Sequence, residues 1–166
     1  VGLDVATKVA KVLYGAFGER MHPPKMLEEI VAEGRLGKKS GKGIYLYPGG
    51  KREFDDALLS KVKTKTRSKE LTDEVVQKRC SYLMVNEGAR VVEEGLVRDV
   101  SDVDVGMIFG TGFAPFRGGL LRYADAVGAD SIVTDLEFYT RTWGERFKPC
   151  KFLADMAVNK GKFYKS

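Results

Sequence analysis

The feature that most constrains this chain is that it contains part of itself twice. Shifted by 126 residues, residues 1–27 lie on 127–153 without a gap, and nine of the 27 positions are identical. Val1-Gly2 falls on Val127-Gly128, Asp4 on Asp130, and Gly18-Glu19-Arg20 on Gly144-Glu145-Arg146. Pro23, Lys25 and Leu27 fall on Pro149, Lys151 and Leu153. Phe17 matches Trp143, Met21 matches Phe147, and Met26 matches Phe152 in kind. After a short contraction, Gly41-Lys42-Gly43-Ile44-Tyr45 resembles Gly161-Lys162-Phe163-Tyr164. Such self-similarity marks a duplicated supersecondary unit. The later copy is preceded by the 55 residues from Thr72 to Ala126, which have no counterpart ahead of Val1. The expectation is a carboxy-terminal piece of a longer polypeptide, opening inside its first repeat.

Helical periodicity runs through both copies. Asp4 is expected to cap a helix with the stripe Val5, Val9, Val12 or Leu13, and Phe17, ended by Gly18. Its twin runs Ile132, Val133, Leu136, Tyr139, Trp143 to Gly144. Pro23 or Pro24, and again Pro149, suit the first turn of a short helix. Thr72, followed by Asp73 and Glu74, starts the longest helix, to about Leu96. Ser101 to Asp104 reads as a capping-box-like start for a short helix to Phe109. Ile44 to Tyr47, followed by Pro48-Gly49-Gly50, reads as a strand entering a turn, one arm of a small β-hairpin near 44–54. The expected fold is mainly α. Residues 1–47 form the truncated first repeat, 48–71 a basic linker and 72–166 the complete second repeat.

Composition narrows the function classes. With 43% hydrophobic and 31% charged residues the chain is an ordinary globular sequence, and no apolar run approaches a bilayer span. The net charge of +5 invites a nucleic-acid reading. Most of it sits between Lys51 and Lys69, where seven basic residues face three acidic ones. Only Phe54 lies among them, so the aromatic interleaving of a nucleic-acid surface is missing and a solvated linker is expected. Two cysteines, Cys80 and Cys150, suit a reducing compartment rather than a disulfide scaffold. One histidine, His22, and two distant cysteines make no metal-ligand cluster.

Three segments invite a site reading. The run Gly110 to Gly119 has Pro115 where a dinucleotide loop needs its third glycine, and it follows a predicted helix, so it reads as a tight inter-helix loop. Asn86-Glu87-Gly88 interrupts an apolar stretch; it is either a hydrogen-bonded core pair tying down a loop or a ligand contact. Arg35 to Lys42 is a basic, glycine-punctuated loop, a solvated turn whose Lys38 and Lys39 offer a phosphate or interdomain contact.

Taken together, these residues carry a resemblance. Val1 to Ala6 and Gly34 to Tyr45 resemble the end of the first helical repeat of 3-hydroxyacyl-CoA dehydrogenases. Met84-Val85-Asn86-Glu87, Glu93 to Leu96, Phe109 to Gly119 and Arg122 to Asp125 resemble the second repeat, typical of multifunctional β-oxidation enzymes, most like the α subunits of the mitochondrial trifunctional type. The resemblance implies the duplicated helical fold of the 6-phosphogluconate dehydrogenase C-terminal type. It implies a parent enzyme that oxidises 3-hydroxyacyl-CoA to 3-ketoacyl-CoA with NAD, with an enoyl-CoA hydratase domain upstream. The resemblance implies that the family's Rossmann domain, its histidine–glutamate pair and its substrate-binding asparagine belong upstream of Val1. Accordingly no catalytic, cofactor-binding or metal residue is assigned, and NAD is expected on the parent enzyme only. Asn86, Glu87, Lys38 and Lys39 remain as weak substrate or interdomain contacts. Asn86 echoes the family's asparagine in the second repeat without inheriting its role, and Ala114 stands where the family usually has proline.

The implied role is cleft closure and assembly. The implied partners are acyl-CoA through the parent enzyme, a second copy and a thiolase subunit, with membrane association of the parent complex compatible and no nucleic acid. The implied location is the mitochondrial matrix or inner-membrane face, with the bacterial cytoplasm as alternative. Two other readings stay open: a non-enzymatic helical interaction module that retained only the fold, and a polyanion binder using residues 51–69.

Overall fold

The computed structural model describes residues 2–63 and 71–164, which fall into two compact units divided after Glu70. In the first unit, helix α1 spans Leu3–Phe17, a 3-10 turn spans Gly18–Met21, and α2 spans Lys25–Ala32. Gly2, not Asp4, holds the N-cap position of α1; Asp4 lies in the first turn and bonds the Lys39 ammonium at 2.7 Å. The α2 end is a Schellman-type stop, with Gly34 at φ 71° and the Arg35 N–H donating to the Ile30 carbonyl at 3.2 Å.

The expected hairpin near 44–54 does not form. Leu46 and Glu53 exchange two backbone hydrogen bonds as an isolated bridge, and there is no strand among the described residues. Pro48 brings no N–H, and Pro48–Gly50 coils into a 3-10 turn, so the ladder stops after one pair. The stretch expected to be a solvated linker is partly folded as well. Helix α3 spans Asp56–Lys63, with Leu58 buried. Asp55 caps it by accepting the Leu58 N–H at 3.0 Å and forms an ion pair with Arg35, which also donates to the Gly43 carbonyl at 2.9 Å. A charge count sees a basic run; it does not see that one acid can cap a turn while one leucine goes inside. Residues 64–70, which hold much of the basic cluster, lie outside the described residues.

The second unit opens with α4, Asp73–Glu93, capped by Thr72, whose hydroxyl accepts the Val75 N–H at 3.2 Å. Helix α5 spans Val100–Thr111 and is capped by Asp99 rather than Ser101, because the Asp99 carboxylate takes both the N–H and the hydroxyl of Ser101. There follow α6, Leu120–Val127, α7, Ala129–Trp143, a turn at Glu145–Phe147, and α8, Lys151–Val158. The core gathers Tyr82, Val85 and Ala89 of α4 with Leu121 of α6, Leu136 of α7 and Leu153 of α8. Gly88 lets α4 approach closely: a Cβ there would lie 3.3 Å from methyls of Leu120 and Leu121. Among the described residues no helix is long and apolar enough to cross a membrane.

The duplication is visible in the helices themselves. α1 and α7 are both 15 residues, α2 and α8 both eight, and each pair is offset by 126. That offset corrects the match between the stripes. Ile132, Leu136, Tyr139 and Trp143 fall on Ala6, Ala10, Leu13 and Phe17, whereas Val5 and Val9 fall on Ser131 and Asp135.

Candidate functional site

Asn86 is 1% exposed in the middle of α4, and both ends of its amide are engaged. Its Nδ2 donates to the Lys148 carbonyl at 2.9 Å, and its Oδ1 accepts the Cys150 N–H at 2.8 Å. Arg90 donates to the same Lys148 carbonyl at 3.2 Å, and Glu93 accepts the Phe152 N–H at 3.2 Å. Three polar side chains of one helix thus hold the turn into α8, satisfying backbone groups that would be costly to bury unpaired. Cys150 continues the chain of contacts by accepting the Leu153 N–H on sulfur at 3.5 Å, and burial pushes its thiol above the ordinary range. Glu87 is not Asn86's partner. It is half-buried and lies 3.4 Å from the Arg90 guanidinium.

Lys38 and Lys39 belong to the first unit, in an exposed 3-10 turn at Lys38–Ser40. The hydrogen bond from Lys39 draws the Asp4 carboxyl below its usual value. The Ser40 hydroxyl is spent inside the loop, accepting the Leu36 N–H and donating to the Lys42 carbonyl. Asn86 and Glu87 share one helix; the two lysines sit in a different unit.

The glycine-rich run does not fit a dinucleotide. Gly110 and Thr111 end α5, Gly112 takes the left-handed C-cap, and Pro115–Arg117 forms a 3-10 turn. The α6 N-terminus, where a pyrophosphate would seat, already holds the Asp104 carboxylate, which accepts the Leu121 N–H at 2.6 Å and the Arg122 N–H at 3.2 Å. Asp104 and Asp125 are the polar residues that the sequence reading missed. Asp104 also accepts the Tyr164 hydroxyl at 2.6 Å, while Asp125 accepts the N–H groups of Phe163 and Tyr164 at 2.8 and 2.9 Å. Arg122 lies over the Tyr164 ring, 3.7 Å from its centroid. Burial, then the bond to Asp104, holds the Tyr164 hydroxyl well above its usual range. The available signal was an acid 14 residues ahead of a Gly-Gly pair that opens a helix.

No cluster of three or more metal-ligating side chains occurs among the described residues. His22 meets Tyr14 edge-on, with centroids 5.0 Å apart. Two clefts in the second unit, of about 310 and 350 Å³, are lined by charges of both signs, Glu137 and Arg141 in one, Asp130 and Lys160 in the other. Thr140, which lines the first, donates its hydroxyl to the Leu136 carbonyl at 2.8 Å.

Comparison with known proteins places this architecture. The family model described as 3-hydroxyacyl-CoA dehydrogenase, C-terminal domain, matches residues 1–47 and 75–166. The chain is 38% identical over 164 residues to a fatty acid oxidation complex subunit alpha of Vibrio cholerae, covering 99% of this chain and 23% of that protein. It is 37% identical over 171 residues to the same-named protein of Shewanella sp. strain ANA-3, covering 99% and 24%. The chain thus spans about a quarter of the length of these bacterial relatives. The crystal structure of 3-hydroxybutyryl-CoA dehydrogenase from Escherichia coli shares its fold at a TM-score of 0.70 with 21% identity, covering 95% of this chain and 49% of that one. The dehydrogenase part of multifunctional enzyme 1 from C. elegans does so at 0.63 with 24% identity, covering 93% and 36%. The chain belongs to the 3-hydroxyacyl-CoA dehydrogenase family and corresponds to its duplicated C-terminal domain.

Proposed function

We propose that this chain is the C-terminal helical domain of a multifunctional fatty acid β-oxidation enzyme that oxidises 3-hydroxyacyl-CoA to 3-ketoacyl-CoA with NAD. Within it the chain serves cleft closure and assembly, and supplies no catalytic or cofactor-binding residue. The observation that carries this reading is the 38% identity to a fatty acid oxidation complex α subunit across 99% of the chain. The engagement of Asn86 with its own loop supports an architectural role for the polar centre of α4. NAD belongs elsewhere in the parent enzyme, since the glycine-rich run here is filled by Asp104. The bacterial relatives support a bacterial cytoplasm over a mitochondrial matrix, and their description as a complex subunit supports a partner chain, a thiolase subunit being the one inferred.

The test is enzymatic. The 166-residue chain alone should leave acetoacetyl-CoA and NADH unconsumed, and the full-length protein should turn them over. Turnover by the isolated chain overturns the architectural role. Inactivity of the full-length protein overturns the dehydrogenase reading in favour of an interaction module.

A further inference from the structure

Along the sequence, Phe54 is the one aromatic ring among the basic residues of 51–69; in space it has company. The antiparallel bridge between Leu46 and Glu53 sets Tyr45 opposite Phe54, and their ring centroids lie 5.7 Å apart at an interplanar angle of 56°. Arg52 folds over the same Tyr45 ring, 4.9 Å from its centroid. Arg52 and Phe54 both reach Tyr45, so Glu53 between them faces the other way. Phe54 stands 73% exposed, whereas Leu58, four residues on, goes inside.

Charge beside these rings is positive and unspent. Lys42, Lys51 and Arg52 are exposed and enter no ion pair among the described residues, whereas Lys39 is held by Asp4 and Arg35 by Asp55. Lys42 is drawn alongside by its own bridge to Leu46. An open ring beside unpaired cations favours a partner that brings both a flat group to stack and a negative charge to neutralise. A single nucleic-acid strand brings both at every nucleotide. A duplex hides its base faces, and heparin brings charge alone.

We propose that the Tyr45–Arg52–Phe54 face of the first unit binds single-stranded nucleic acid, with a base stacked on Phe54 and neighbouring phosphates on Arg52, Lys51 and Lys42. Tyr45 is a positioning residue: it backs the Phe54 ring and keeps the Arg52 guanidinium beside it. Binding is tolerant of sequence, since every base has a face to stack, and it weakens with salt. This replaces the solvated-linker reading of residues 51–54, which counted rings along the sequence only. It is independent of the dehydrogenase reading, which gives these residues no task.

Fluorescence anisotropy of a labelled uridine RNA of roughly 12 nucleotides, titrated with the full chain, tests this. The strand is expected to bind at low salt, with log K falling against log salt at a slope of about −2, or about 0.7 for each of the phosphate contacts. F54A should weaken binding about tenfold at unchanged Tm. R52A should weaken it and also flatten the salt slope by about 0.7. F54W should bind as the parent chain does, and its added emission should be quenched as the base stacks. F54A should leave a heparin titration where it was. Absence of RNA binding at about 100 µM chain in low salt overturns the proposal. So does binding that F54A leaves unchanged, which would make the contact one of charge alone. A tenfold loss of heparin binding in F54A overturns base stacking as the cause.

Discussion

The side chain of Asp104 occupies the space that a Cβ on Gly119 would need: a carbon added there would sit 2.3 Å from the Asp104 Cβ and Cγ. Gly119 also has φ 119°, which L side chains rarely adopt. Gly119→Ala should therefore destabilise the chain by about 2–4 kcal/mol, with strain and displacement of the Asp104 cap acting together. Gly118→Ala, at φ 76° with an ordinary 3.4 Å contact to Arg122, should cost about 1 kcal/mol. Gly110→Ala, in open helical space, should be neutral or stabilise by up to about 1 kcal/mol. Urea denaturation of the three variants reads this order directly; equal costs at 118 and 119 would contradict it.

Asn86→Ala should cost about 2–3 kcal/mol, because it leaves the buried Cys150 N–H without its acceptor and the Lys148 carbonyl with Arg90 alone. Asn86→Asp keeps the acceptor for Cys150 but loses the donor to Lys148, and it should recover only part of the loss. Thermal denaturation gives the ranking, and amide exchange at Cys150 gives the cause. Exchange there should rise most in the alanine variant.

Alkaline stability should be governed by buried phenols. Burial pushes Tyr82 up to about 12 from an ordinary value of 10.0. The folded state then prefers the protonated phenol, so its contribution is complete below pH 10 and is lost as pH rises toward 12. Tyr164, raised by burial and by Asp104, adds to the same slope. The midpoint of urea unfolding should fall steadily across that window, and Tyr82→Phe should flatten the fall. A Tyr82→Phe protein with an unchanged alkaline slope would refute the assignment.

The Arg35–Asp55 pair should control how firmly α3 is held. The Leu58 N–H and the Arg35 guanidinium keep the Asp55 carboxyl below its usual value of 3.8. Its contribution is therefore present above about pH 4 and lost as pH falls below it. Asp55→Ala should speed trypsin cleavage after Lys61 several-fold while cleavage within α4 stays slow. Protection of Lys61 in that variant would show that α3 is held by Leu58 alone.

Much of this was written locally, and some of it could not have been. The helix pairs were legible because two copies of one pattern vouch for each other, and Thr72 ahead of Asp73 and Glu74 states its own cap. α3 was not legible, because its two anchors, Arg35 and Leu58, lie 20 residues before and three after Asp55, amid charges that read as solvated. Asp104 escaped for the same reason: its partners at 121, 122 and 164 are contiguous only in space. The face of α1 was legible as apolar but misassigned in register, since Val5, Val9 and Val12 form a tidier stripe than the Ala6, Ala10 and Leu13 that stand where the buried Ile132, Leu136 and Tyr139 of α7 are. Asn86 was legible as exceptional, but only its neighbours across the fold decide what it binds.

Lys160 stands at φ 51°, the one non-glycine residue with positive φ among those described, and it occupies the place of Gly34 in the other copy. Both positions end a helix with the same stop: the Gly161 N–H reaches the Met156 carbonyl at 2.8 Å just as that of Arg35 reaches Ile30. The two copies share the turn although only one has the residue that makes it easy. What the two copies hold in common at this corner is a bend in the main chain, and at 160 a lysine takes the handedness that a glycine takes at 34.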